Sequence, residues 1–179
     1  MGLPLTDSVG NILGHLAVMD TRPMPAEPRV QTIFRIFASR ASAELQRIQA
    51  ESATREREQK LRRLIDSAMD AIIELDEDLR ITRINPAAEK VFQCEAIHLV
   101  GKDFCLSLVP NDREKLRRLI QDLNTKPAGR RSLWIPGGLK AVRTDNTEFP
   151  AEATLSQFQM EGKVFYTLIL RNVNERLEA

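Results

Sequence analysis

Few side chains in this sequence are equipped for chemistry, and their spacing limits what they can do. The histidines are His15 and His98. His98 stands four residues after Cys94, a separation that puts both on one face of a helix. A metal site needs three or four converging donors, and no third ligand accompanies this pair, so no metal ligand is assigned. His15 lies in an apolar run and reads as a sheet residue. Cys94 and Cys105 read as small, half-buried thiols of a reducing compartment rather than as a disulfide. There is no Gly-x-Ser-x-Gly and no Ser/His/Asp set. Pro136-Gly137-Gly138 lacks the Lys-Ser/Thr that completes a phosphate loop. No catalytic residue is therefore assigned, and the chain reads as a non-enzyme.

Two groups could bind rather than react. Lys115, Arg117 and Arg118, with Arg130 and Arg131, could meet an anion, although a solvated basic face is the simpler reading. Phe92, Phe104, Trp134 and Tyr166 could line a pocket or could be plain core aromatics. Ile73, Leu168 and Leu170 join them as candidate lining for a small apolar ligand.

The elements that must hold these residues follow from periodicity. Ala71–Leu75 is an apolar run around one Glu, Asp76-Glu-Asp78 is turn chemistry, and Leu79–Ile84 alternates as a half-buried strand does. Asn85 before Pro86 predicts a helix start over Pro86–Phe92, with Asn as N-cap and proline at the first position. Glu95–Val100 closes on Gly101, Asp103–Leu108 is a short helical turn, and Pro110 opens a helix to about Leu123. Leu133–Ile135 leads into a strand that Pro136-Gly137-Gly138 interrupts. Strands are expected at Leu139–Arg143, Glu148–Gln159 and Lys163–Asn172. Upstream, Leu3–Thr6 and Ile12–Met19 form a hairpin. A helix then carries Val30, Phe34, Phe37, Ala41, Leu45 and Ile48 at helical spacing and continues as a linker over residues 44–69. Its middle is charged. Leu61, Leu64 and Ile65 restore an apolar stripe, out of phase with Leu45 and Ile48 unless the heptad skips.

With 179 residues, 42% of them apolar, the chain can build one ordinary domain plus extra segments. A net charge of +1 gives no bulk electrostatic case for nucleic acid or an anionic membrane. No apolar run reaches the ~18 residues of a membrane span, and the N-terminus lacks a signal-peptide layout, so a cytoplasmic location is expected.

The order LIDSAMDAIIELDEDLRITRIN–PAAEKVF, the RTDNTEFP run (Arg143–Pro150) and the closing Arg171–Arg176 segment together resemble a PAS domain over about residues 61–175. The resemblance implies an α+β fold with a five-stranded antiparallel sheet and short helices on one face. It also implies a sensory and dimerisation role in a bacterial signal-transduction or transcription regulator. GLPLTDSVGNILGHLAVMD, Arg22-Pro23 and RIFASRASAEL resemble the last third of a GAF domain over about residues 1–48, which makes the chain a fragment of a longer signalling protein. The resemblance also argues against two cofactors. Haem-binding PAS domains carry an axial His on the long helix, and Asp112–Leu123 has none. Light-sensing ones carry Gly-x-Asn-Cys, whereas Gly101-Lys-Asp-Phe-Cys105 places the thiol one position late, and Leu170 takes the place of the flavin-contacting Gln. The usual closing Asp and Thr are Asn172 and Asn174, and 174–179 would start an outgoing helix. A homodimer is expected through Leu45, Ile48, Leu61, Leu64 and Ile65, with Asn172 and Asn174 relaying at the other end. In the full protein, a histidine kinase, cyclic-dinucleotide or AAA+ module could follow.

Overall fold

A computed structural model describes residues 2–23, 27–127 and 131–174, which fall into two compact units, Met1–Leu61 and Arg62–Ala179. Arg130, the Thr125–Arg131 loop in part, and the outgoing segment 175–179 lie outside the described residues.

In the first unit, β1 (Gly2–Thr6) pairs antiparallel with β2 (Ile12–Ala17). Asp7 builds the turn: its Oδ1 accepts from the Val9 and Asn11 amides, and its Oδ2 from the Asn11 side chain at 2.7 Å. Strand β2 stops at Ala17, two residues short of the expected Met19. Helix α1 runs from Pro28 to Asp66 without a break. Leu5, Phe34 and Ala38 are the buried apolar residues of this unit. Leu45 is half-buried and lies at helical spacing from Phe34, Ala38 and Ala41, whereas Ile48 is exposed.

The second unit is an antiparallel sheet in the order β4 (Ile81–Ile84), β3 (Ala71–Leu75), β8 (Lys163–Asn172) and β7 (Glu148–Met160), with β5 (Ser132–Trp134) and β6 (Leu139–Val142) both paired to the far side of β7. Strand β3 (Ala71–Leu75) turns Ala71, Ile73 and Leu75 inward and Ile72 and Glu74 outward. The acidic turn is held by Asp76, whose Oδ1 accepts from the Asp78 and Arg80 amides. Leu79 takes a left-handed φ of 64° there, so β4 begins at Ile81 (Ile81–Ile84) rather than at Leu79. Helix α2 (Pro86–Phe92) is capped by Asn85, and Glu89 of α2 accepts from the Ala96 amide at the head of α3 (Ala96–Leu99). A 3-10 turn (Phe104–Ser107) capped by Asp103 and helix α4 (Pro110–Asn124) complete the helical layer.

The fifth strand position is split. β5 (Ser132–Trp134) and β6 (Leu139–Val142) pair with successive parts of β7 (Glu148–Met160), and β7 pairs along its other side with β8 (Lys163–Asn172). The Pro136–Gly138 turn makes the split. The Ile135 amide still reaches the Ala153 carbonyl at 2.8 Å, and Gly138 then takes a φ of 65°. The Nζ of Lys115 on α4 donates to the Pro136 and Gly138 carbonyls and pins the turn to the helical layer.

Candidate functional site

The interior of the second unit is built by the inward residues of the sheet and one side of each short helix. Ile73, Phe92, Phe104, Tyr166, Leu168 and Leu170 are all buried there. Phe92 meets Phe104 and Phe149 edge-on, with centroids 6.4 and 5.6 Å apart. Arg143 closes one end. Its guanidinium lies 4.5 Å over the Phe149 ring, and its Nε donates to the Val91 carbonyl at 2.8 Å, tying the end of α2 to the β6–β7 hairpin. At the other end, the Tyr166 hydroxyl and the Gln157 amide both donate to Asn124 Oδ1.

Trp134 is not part of this interior: it is 58% exposed. Side chains alternate along β5, so Leu133 packs toward the core, and so does Ile135 just beyond the strand, while Trp134 points out. The pairing register places Trp134 beside Thr154, Thr154 beside Ile169 and Ile169 beside Ile72, one row across the outer face of the sheet.

The thiols do not converge with other donors. Cys105 is 1% exposed, and burial, with the nearby Asp103 charge, pushes its pKa up, which keeps it a neutral thiol. Cys94 is half-buried, with its Sγ 3.7 Å from the Glu95 carbonyl. Among the described residues, no three His, Cys, Asp or Glu side chains gather at one point. Lys115, read most simply as part of a solvated basic face, instead donates from its Nζ to the two turn carbonyls.

Where the chain enters and leaves this unit, polar residues stitch its ends together. Asp70, after the last turn of α1, forms a bidentate pair with Arg171 of β8 at 2.8 and 2.7 Å. The hydrogen bonds from Arg171 hold the Asp70 carboxyl below its ordinary pKa, against a smaller opposing effect of burial. A lowered folded-state pKa stabilises the fold above the usual aspartate range, and that contribution is lost as pH falls through the folded value. The expected result for Asp70→Asn is a lower urea midpoint at pH 7, and a difference from wild type that shrinks as pH falls below the ordinary aspartate range and is gone once Asp70 is protonated in the folded protein. At the end of β8, Asn172 is buried and its Oδ1 accepts from the Asn174 amide at 3.1 Å, so a neutral bond takes the place of a charged latch.

Sequence reasoning reached Asn85 only as a helix cap. Its side chain is 1% exposed and does more than cap, and Arg143 enters the sequence reading only as a strand end and as the first residue of the RTDNTEFP run. The signal for Asn85 was its place between a strand and Pro86. Nothing local in the sequence marks Arg143 as an interior lid.

The PAS fold model matches residues 59–173. This chain belongs to the PAS fold family. It is 26% identical over 127 residues to the sensor protein FixL of Bradyrhizobium diazoefficiens, covering 71% of this chain and 25% of that protein. The PAS domain of an HTR-like protein from Haloarcula marismortui superimposes with a TM-score of 0.57 at 20% identity, over 70% of this chain and 98% of that one. An RNA-binding Light-Oxygen-Voltage receptor gives 0.52 at 23% identity, over 66% and 33%. The chain spans only 16% and 25% of the length of the curated relatives it matches. The PAS unit of this chain is a sensory signal-transduction module, an α+β domain with its helices over one face of a mostly antiparallel sheet. Among the described residues, no helix is long and apolar enough to cross a membrane.

Of the positions that the resemblance ties to cofactors, Cys105 and Leu170 are both buried, and helix α4 carries no histidine.

Proposed function

We propose that this chain is the sensing, relay and dimerisation part of a larger bacterial regulator and catalyses nothing itself. The observation that carries the reading is the Asp70–Arg171 pair. It joins the segment leading into the PAS sheet to the strand leading out of it, so a shift in strand packing reaches both neighbouring segments together. A ligand of this interior would be small and apolar, held among Ile73, Phe92, Phe104, Leu168 and Leu170, without haem, flavin or metal. The first 48 residues are assigned to the C-terminal part of a GAF domain, which supplies an upstream sensory neighbour. The pairing helix is α1. Ile48, Leu61 and Leu64 leave large apolar surfaces in water, and Leu45 and Ile65 are half-covered. An output enzyme of the kinase or cyclic-dinucleotide class belongs to the rest of the protein, and the location is cytoplasmic.

Native mass spectrometry of the purified chain tests the reading in one measurement. The expected spectrum is a dimer, either bare or carrying a small apolar molecule, with no visible chromophore. A monomer at micromolar concentration would remove the dimerisation role. A stoichiometric coloured cofactor would overturn the description of the interior.

A further inference from the structure

We propose that Asn85 is the positioning residue that locks the last turn of α1 to the PAS core, and that rearrangement of the core reaches the helix through it. The proposal rests on the relay reading above and assigns its coupling element. A primary amide has two N–H donors and one oxygen with two lone pairs. Asn85 uses all of them. Its Oδ1 accepts from the Ile72 amide of β3 at 2.9 Å and from the Ala88 amide of α2 at 3.0 Å. Its Nδ2 donates to the Ile65 carbonyl, in the last turn of α1, at 3.2 Å and to the Asp70 carbonyl at 3.0 Å.

The geometry follows from where the chain turns. The Asn85 backbone amide donates to the Ile72 carbonyl at 3.1 Å, which extends the β3–β4 ladder one rung past Ile84. Its own backbone carbonyl is already committed to the Ala88 amide in the first turn of α2. The return bond from the Ile72 amide therefore goes to the side chain. The two amide hydrogens left over face the chain that arrives from α1. There the Ile65 carbonyl is one of the helix-end acceptors with no full partner inside the helix, taking only a long 3.3 Å bond from Ala68. One buried side chain thus joins β3, α2, the end of α1 and the segment bonded to Arg171. A cleft of about 110 Å³ beside it, lined by Ile65, Ile72, Ile84 and Thr167, leaves the helix end room to move once these bonds are released.

The acceptor and donor halves of this side chain can be separated. Asn85→Asp keeps an oxygen for Ile72 and Ala88 but turns lone pairs toward the Ile65 and Asp70 carbonyls. Asn85→Ala loses both halves. Native-state hydrogen exchange on the full chain reads each half at its own amides, with Leu155 in the middle of β7 as the reference for global opening. Asn85→Asp is expected to speed exchange of Ser67 and Ala68 at least 10-fold relative to Leu155 while Ile72 and Ala88 stay within about 3-fold of wild type. Asn85→Ala is expected to speed Ile72, Ser67 and Ala68, and Ala88 less, because the Ala88 amide keeps its bond to the backbone carbonyl of residue 85. Coupling is then read by a cycle with Ile73→Val, which trims one methyl from the core face of β3. That change is expected to alter Ser67 and Ala68 exchange about 3-fold or more with Asn85 present, and to leave it unaltered in the Asn85→Asp background.

Equal loss at all four amides in Asn85→Asp would make the residue a general support and overturn the proposal. A helix end that loosens in Asn85→Asp but still responds to Ile73→Val would also overturn it, leaving the relay reading intact. No response to Ile73→Val in the wild-type background would remove the relay reading and the proposal together.

Discussion

Gly138→Ala is expected to destabilise the PAS unit by on the order of 3–4 kcal/mol, enough to lower its melting temperature by more than about 10 °C. Two costs combine. Gly138 sits at a φ of 65°, where an L side chain costs about 1–2 kcal/mol. A Cβ there would also stand 2.2 Å from the Ala151 carbonyl oxygen, and that oxygen is main chain in the central strand β7, so it cannot swing aside. Relief requires pulling β6 away from β7 at the Leu139–Ala151 rung. Gly137→Ala is the matched control. Its φ of 71° carries the same backbone cost, but the nearest neighbour to a new Cβ is the Lys115 Nζ at 3.8 Å, an ordinary contact distance. About 1–2 kcal/mol is expected there. Chemical denaturation of both variants checks the difference, and equal midpoints would contradict the close approach of β7.

Phe104→Ala is expected to cost about 3–5 kcal/mol, whereas Trp134→Ala stays within about 0.5 kcal/mol. Both aromatics were candidates for the same pocket. Phe104 is wholly buried, with its ring edge-on to Phe92, so truncation removes transfer free energy and leaves a cavity that packed neighbours fill only in part. Trp134 stands on the outer face, where its indole is mostly in water already. Urea titration with constant m-value separates the two. A large loss at Trp134 would mean that the outer row of Trp134, Thr154, Ile169 and Ile72 is covered in solution.

The same two residues show what a sequence can and cannot determine here. Elements were legible because their signals are local. Asn85-Pro86 starts a helix through its own side chain and a fixed φ. Asp76-Glu77-Asp78 turns the chain through an Asx bond to the next amides, and alternation in β3, β7 and β8 marks one buried face. Ile73, Tyr166, Leu168 and Leu170 lie at inward positions of strands β3 and β8 that alternation marks, whereas Phe92 and Phe104 stand on α2 and the 3-10 turn, where no alternation applies. The misreadings came where a local signal was weak or ambiguous. Leu79 looks like the first residue of a strand, yet closing the acidic turn requires it in a left-handed conformation. Trp134 was grouped with the other aromatics as pocket or core, while its parity along a three-residue strand, fixed only by pairing with Thr154, points it outward. The remaining decisions belong to contacts between residues far apart in sequence. Arg171 reaches Asp70, Arg143 reaches Val91, and Asn85 reaches back to Ile65 and Asp70. No periodicity encodes such pairs, because each depends on where the sheet brings two separate segments together. The sequence alone therefore determined the strands, the helices and the composition of the core. Tertiary structure decided which polar groups join the ends of the domain, because a buried amide or a bidentate ion pair has meaning only once its partners are in place.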